Sequence, residues 1–235
     1  MTCSPYVGKE LDLFARAVRW KAYWSSHVRP LLAGNVLEVG AGIGANTPFL
    51  LSSRVSRWVS IEPDRGLAER LRARRDALRE PRWQVACGCI DCIEPRGAFD
   101  AVVYVDVLEH IPDDRRELAE AALRLGPDGL LIILAPAFGF LFSTFDSAIG
   151  HHRRYSRKSL LNILPEGLAT SFLGYLDSLG LLLSLGNKAL LRRRLPTHRQ
   201  IETWDRLIIP LSVRTDRLAN FRVGRALLGV WRKRA

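Results

Sequence analysis

Residues 35–47 read NVLEVGAGIGANT. A short apolar run, broken only by Glu38, meets three glycines at alternate positions: Gly40, Gly42 and Gly44. An apolar run of this length, bounded by turn residues, predicts a buried strand. Glycines lack a Cβ, so the backbone there can turn tightly and approach a ligand closely. A strand, a glycine turn and a helix start together predict the ligand-binding end of an open α/β sheet. The loop alone also satisfies the loose dinucleotide pattern G-x-G-x-x-G/A, ending on Ala45. Glu38 shifts that balance. A carboxylate two residues before the first glycine would repel a pyrophosphate but not a cationic amino-acid group.

The pattern repeats outward from this stretch. Apolar runs at 57–62, 82–87, 99–106 and 129–136 read as strands, and charged periodic runs at 64–79 and 113–125 read as helices. Asp64 and Asp113 stand where N-caps belong. Further strands are expected at 169–176 and 225–233, with a mostly helical, Arg-rich segment between them at 177–221. The alternation predicts a Rossmann-like α/β fold: a seven-stranded, mostly parallel sheet, helices on both faces, and a helical insert between the last two strands.

The chain of 235 residues suits one domain. Its net charge of +11 is lopsided: residues 151–235 hold 17 Lys and Arg against 5 Asp and Glu, and the rest is nearly balanced. Such a basic half could meet nucleic acid, anionic lipid or an acidic small molecule, or form a solvated arginine face. The start carries no secretory pattern, and the apolar region around 168–191 is interrupted by Asp177 and polar residues. It reads as a poor membrane span that could still lie on a membrane surface. Cys87, Cys89 and Cys92 offer three thiolates without a nearby fourth ligand, short of a structural zinc site.

The run DVLEHI, 106–111, raises a separate question. On a helical turn Asp106, Glu109 and His110 would share one face. That spacing suits a metal site, an acid–base pair or a strand end.

VLEVGAGIGANT, IEPD, FDAVVYVDVLEHI and GLLIILAP resemble, in order and spacing, the successive motifs of class I S-adenosylmethionine-dependent methyltransferases. STFDSAIGHHRRYS, 143–156, resembles a bacterial subgroup with a D-x-x-x-G-H-x-R-R-Y segment. The resemblance implies an enzyme whose cofactor is S-adenosylmethionine, with S-adenosylhomocysteine as product. It implies that Glu38 and the Gly40, Gly42 and Gly44 loop hold the methionine part, assisted by Asn46. Glu62 would hold the ribose, Cys89 and Ile90 the adenine, with Asp91 a candidate for its amine, and Asp106 and Val107 would lie beneath the sulfonium. Ubiquinone-biosynthesis O-methyltransferases, with a similar acid-x-x-Glu-His run, imply a divalent metal. No metal is expected here, because a hard cation usually needs more oxygen ligands than this run supplies.

Methyl transfer to a hydroxyl needs a base, and to a basic amine it need not. His110, His151 and Tyr155 are the candidate catalytic residues. Trp20, Tyr23, Phe138, Phe142, His152 and Arg154 are expected around the acceptor. The expected layout is one domain: a helical cap over 1–33, a cofactor-binding core over 34–136, an acceptor loop and sixth strand over 137–176, a helical lid over 177–221 and a last strand over 222–235. The expected acceptor is a small molecule methylated on O or N in a biosynthetic pathway. The alternative is a membrane-associated lipid, quinone or glycan. An RNA methyltransferase or a non-catalytic binding protein ranks below both. The chain is expected to be a monomer or homodimer in the cytoplasm, with peripheral membrane contact left open and nucleic acid disfavoured.

Overall fold

The computed structural model describes residues 6, 8, 10–190 and 197–234, except for the side chains of 187–190. Arg192, Arg193 and Arg194 of the basic insert lie outside the described residues. Seven strands form one sheet: β1 (Gly34–Val39), β2 (Val55–Glu62), β3 (Trp83–Cys87), β4 (Phe99–Val105), β5 (Leu125–Pro136), β6 (Leu168–Leu176) and β7 (Ala226–Lys233). Their order is β3-β2-β1-β4-β5-β7-β6. The first five are parallel, and β7 runs antiparallel to both β5 and β6.

Among the described residues ten α-helices accompany them: α1 (Leu11–Ala15), α2 (Val18–Val28), α3 (Thr47–Leu50), α4 (Arg65–Leu78), α5 (Asp114–Arg124), α6 (Thr144–Ala148), α7 (Arg157–Leu161), α8 (Ser178–Leu190), α9 (His198–Thr203) and α10 (Ile209–Leu218). Asp64 and Asp113 cap α4 and α5 as expected, accepting from Leu67 N and Arg116 N. Two boundaries differ from the sequence reading. The fifth strand begins at Leu125, ahead of Gly126 and Pro127. The helix after the glycine loop is a single turn, with Pro48 at its start. A helix this short carries little of the dipole that a pyrophosphate would need.

Strand side chains alternate between two cores. Val36, Val103, Val105, Ile132 and Val230 face one layer with Trp20, Trp24, Trp58 and Trp83. Leu37, Val102, Tyr104, Ile133 and Trp231 face the other with Leu118 and Ala121 of α5. This is the period-two pattern of a sheet covered on both sides.

Three buried carboxylates anchor the insert. Asp216 accepts from Tyr23 Oη at 2.8 Å and from the backbone N–H groups of Asp177 and Ser178 at 2.6 and 2.8 Å. Asp205 accepts from the backbone N–H groups of Trp20 and Arg19 at 2.8 and 3.1 Å. Asp177 accepts from Trp204 Nε1, Ser212 Oγ and Arg225 Nε, each at 2.8 Å. Tyr23 therefore ties α2 to the insert and does not line an acceptor pocket. Between α9 and α10 the helix widens into a π turn at Trp204–Ile208. Pro210 follows, with no N–H to give and a ring that crowds the carbonyl four residues back.

Asp216→Ala would leave three buried donors without a partner. It should cost on the order of 3 kcal/mol of stability in urea unfolding; a loss under about 1 kcal/mol would mean that the insert is not anchored there.

Candidate active site

At the carboxyl ends of the parallel strands lies a cavity of about 900 Å³. Its floor is the glycine loop, Glu62, Gly88, Cys89, Ile90, Asp106 and Val107. Its roof includes Leu11, Phe14, Trp20 and Lys21, and its far wall includes His110, His151, His152 and Arg154.

The loop needs its glycines for different reasons. All three have positive φ. A Cβ on Gly40 would stand 2.6 Å from Val107, and one on Gly44 would stand 2.6 Å from Leu71 and 3.0 Å from Trp83. Gly44 therefore faces the core and is absent from the cavity wall. A Cβ on Gly42 would meet nothing closer than Leu11 at 3.6 Å, because that position opens into the cavity.

Glu62 is buried at the tip of β2. It accepts from Gly42 N at 2.8 Å and Asp64 N at 3.0 Å. Burial pushes its carboxyl up, and those two N–H groups oppose the rise. Each oxygen keeps a free lone pair toward the cavity.

Glu38 departs from expectation. It does not line the cavity. Its Oε2 accepts from Thr47 Oγ1 and Ser60 Oγ at 2.6 Å and from Trp58 Nε1 at 3.0 Å, beneath the loop. Burial pushes this carboxyl up, against the pull of the three donors. Glu38 acts on the site by holding the loop rather than by facing a ligand.

The run at 106–111 divides. Asp106 directly follows β4 with φ of 54° and exposes its side chain to the cavity. Enclosure by protein pushes its carboxyl up to about 6, although His151, Arg225, Lys21 and Arg154 pull the other way. Leu108–His110 form a single 3₁₀ turn. Glu109 is fully buried and neither of its oxygens has a hydrogen-bond partner. Burial, with Asp106 adding to it, pushes its carboxyl well above the usual range. Burial pushes His110 down to about 4. Its ring meets that of His151 edge-on at 4.6 Å.

Asp146, to which the sequence reading assigned no role, organises the later loop. It accepts from His151 Nδ1 at 2.9 Å and from Arg154 Nε and Nη2 at 2.8 and 3.0 Å. Burial opposes its charge, yet the His151 and Arg154 contacts hold it well below the usual carboxylate range. With Nδ1 engaged, His151 turns Nε2 toward the cavity, 3.7 Å from Glu109 Oε1. Arg154 lines the same wall while paired with Asp146.

Other expected residues lie elsewhere. Tyr155 is buried, its hydroxyl on Asp114 Oδ2 at 2.8 Å and Leu108 O at 3.2 Å. It pins the loop and is not at the reacting end of the cavity. Phe138 stacks between Tyr175 and Phe140, and neither Phe138 nor Phe142 lines the cavity. Asp91 is exposed and borders a separate small pocket. Trp20, Asn46 and His152 do line the cavity.

Lys21 was missed. It is buried, donates to Phe14 O and Ala17 O, and lines the cavity. Burial pushes its pKa down to about 8. Its place at helical spacing from Ala17, Trp24 and Val28 put it on the apolar face of α2, the signal that could have found it. Arg225 was missed too; it lines the cavity with its guanidinium 4.1 Å over the Trp204 ring.

Among the described residues one group has metal-like spacing. An oxygen of Glu109 and a ring nitrogen each of His110 and His151 lie within 4.8 Å of one another. Asp106, which the sequence grouped with Glu109 and His110, is not part of it. A metal here would need the Glu109 carboxyl ionised, which burial opposes.

The family described as a methyltransferase domain matches residues 14–166. The chain belongs to that family. It is an S-adenosylmethionine-dependent methyltransferase. No curated protein sequence matches it. Among solved structures, a putative methyltransferase from Bacillus halodurans shares 15% identity at a TM-score of 0.63, covering 91% of this chain and 99% of that one. N-methyltransferase NodS from Bradyrhizobium japonicum, in complex with S-adenosylhomocysteine, shares 16% at 0.62, covering 99% and 94%. The cyclase SpnF shares 14% at 0.64, covering 99% and 97%. These likenesses extend the fold over the whole chain, and SpnF shows that the fold alone does not name the reaction.

The residues present fit the methyltransferase cofactor: a loop without side chains at Gly42, and a buried acid at the second strand's tip with lone pairs to spare. Gly42→Ala should lower S-adenosylhomocysteine affinity at least about tenfold, as loss of close backbone approach implies, and leave a folded protein. Gly44→Ala should instead lower thermal stability, through the clash with Leu71 and Trp83. The reverse pattern would mean that the loop faces the other way.

Proposed function

We propose that this methyltransferase moves a methyl group to an oxygen or nitrogen of a small-molecule acceptor. The observation that carries the reading is the cavity, where the glycine loop, Glu62 and Asp106 face the His110 and His151 wall. At about 900 Å³ it lies at the upper end of the usual range for small-molecule sites, which supports a place for cofactor and small acceptor together.

When bound, S-adenosylmethionine supplies an electrophilic methyl group on a sulfonium. Glu62 would accept from the ribose hydroxyls with the lone pairs that Gly42 N and Asp64 N leave free. The backbone of Gly40 and Gly42 and the side chain of Asn46 would hold the methionine part, and Cys89 and Ile90 the adenine. Asp106 and Val107 would hold the sulfur end. His151 takes the acceptor's proton on Nε2, while Asp146 holds Nδ1 and fixes the tautomer. His110, kept neutral by burial, packs against His151 and limits where the acceptor can sit. Trp20, His152 and Arg154 complete the acceptor wall, and the roof from α1 and α2 excludes water. Alignment within this wall supplies the proximity term of the rate.

Glu62→Ala should weaken S-adenosylhomocysteine binding by about 1–3 kcal/mol, the range for a hydrogen bond to a charged group; unchanged affinity in calorimetry would remove the ribose role. His151→Asn keeps a donor for Asp146 but removes Nε2. It should lower kcat about a hundredfold with S-adenosylhomocysteine affinity unchanged. Parallel losses in both would make His151 structural.

A further inference from the structure

The insert between β6 and β7 carries two features that the methyl-transfer site does not use. The first is apolar exposure. Six of the thirteen large apolar side chains exposed among the described residues are its leucines: Leu182, Leu183 and Leu185 on α8, and Leu207, Leu211 and Leu218 along the π turn and α10. Leu182 is 62%, Leu207 61% and Leu218 88% exposed. On α10, Leu211, Arg214 and Leu218 recur at helical spacing opposite the buried Ile209, Ser212 and Asp216, and Leu207 lies one turn earlier. The outward face of this helix is therefore leucine and arginine, where a surface helix packed only on its own core would be polar.

The second feature is charge. The insert has four acids, Asp177, Glu202, Asp205 and Asp216. Three of them are buried, and they are the internal anchors of the fold. Glu202 alone reaches the surface, whereas Arg199, Arg206, Arg214 and Arg217 are all exposed. Internal use of the acids leaves the outward face more cationic than the sequence count suggests. Leucines at that face offer insertion, and arginines beside them offer pairing with phosphate.

We propose that this leucine and arginine face docks the methyltransferase on an anionic phospholipid surface. Among the described residues no helix is long and apolar enough to cross a membrane. Ser184 of α8 lines the cavity while Leu182, Leu183 and Leu185 of the same helix face outward. Helix α8 thus borders the cavity on one side and carries exposed leucines on the other, which fits an amphipathic acceptor held at the lipid surface. That consequence, but not the docking itself, rests on the methyl-transfer reading above.

The test is sedimentation of the full chain with vesicles of phosphatidylcholine alone and of phosphatidylcholine with an equal part of phosphatidylglycerol, at low and physiological salt. The chain should pellet with the anionic vesicles, less so at physiological salt, and not with phosphatidylcholine alone. Two variants of exposed residues, Leu207→Ser with Leu211→Ser and Leu218→Ser, and Arg206→Glu with Arg214→Glu and Arg217→Glu, should each lower partitioning at least about tenfold. Both should keep the wild-type melting temperature and S-adenosylhomocysteine affinity. Failure of the wild-type chain to pellet, or pelleting of either variant at the wild-type level, overturns the proposal. So does a dimer that the leucine variant dissolves without any vesicle binding by the wild type, which would give the face to a second copy. RNA binding without vesicle binding would overturn it as well. If vesicles bind but S-adenosylhomocysteine does not, docking stands and the cofactor reading falls.

Discussion

One buried oxygen holds the site together. Glu38 Oε2 takes hydrogen bonds from Thr47, Ser60 and Trp58 at once, joining the exit of the glycine loop, the second strand and the core beneath. Ser60 in turn accepts from Trp83 Nε1 on the third strand at 2.8 Å. A carboxylate this deep is costly unless its lone pairs are used, and here three donors use one oxygen. The loop is thereby fixed from below, and Glu62 fixes it from the side through Gly42 N. Gly42 can then be left bare toward the cavity.

The same device recurs at two other places. Asp146 gathers Ser143, His151 and Arg154 and so gives the loop after the fifth strand its shape. Asp177, Asp205 and Asp216 tie the insert to α2 and to Arg225. In each case an acid is taken inside and satisfied by several donors, which is how buried charge becomes tolerable. The consequence for the surface is a helical face rich in arginine with few acids left to balance it.

Much of this was legible in the chain. Strand and helix alternation reported the sheet, because a parallel sheet covered on both faces needs apolar runs joined by amphipathic helices. The glycine spacing and the acid at 62 reported the cavity end of the sheet, since local backbone chemistry dictates both. Side-chain direction was not legible. Glu38 and Gly44 turn to the core and not to the cavity, and only the packing of Trp58 and Trp83 decides that. Tyr23 and Tyr155 read as site aromatics, yet their hydroxyls go to Asp216 and Asp114, partners 193 and 41 residues away. The grouping of Asp106 with Glu109 and His110 assumed a helical turn. The positive φ at Asp106 breaks that turn, and His151, held by Asp146, faces Glu109 instead.

The central claim is that the cavity over Gly42 and Glu62 takes S-adenosylmethionine. Isothermal titration of S-adenosylhomocysteine into the purified chain tests it most directly. Saturable binding of one molecule per chain is the expected result. A flat titration at saturating ligand, with the chain shown to be folded, would contradict it.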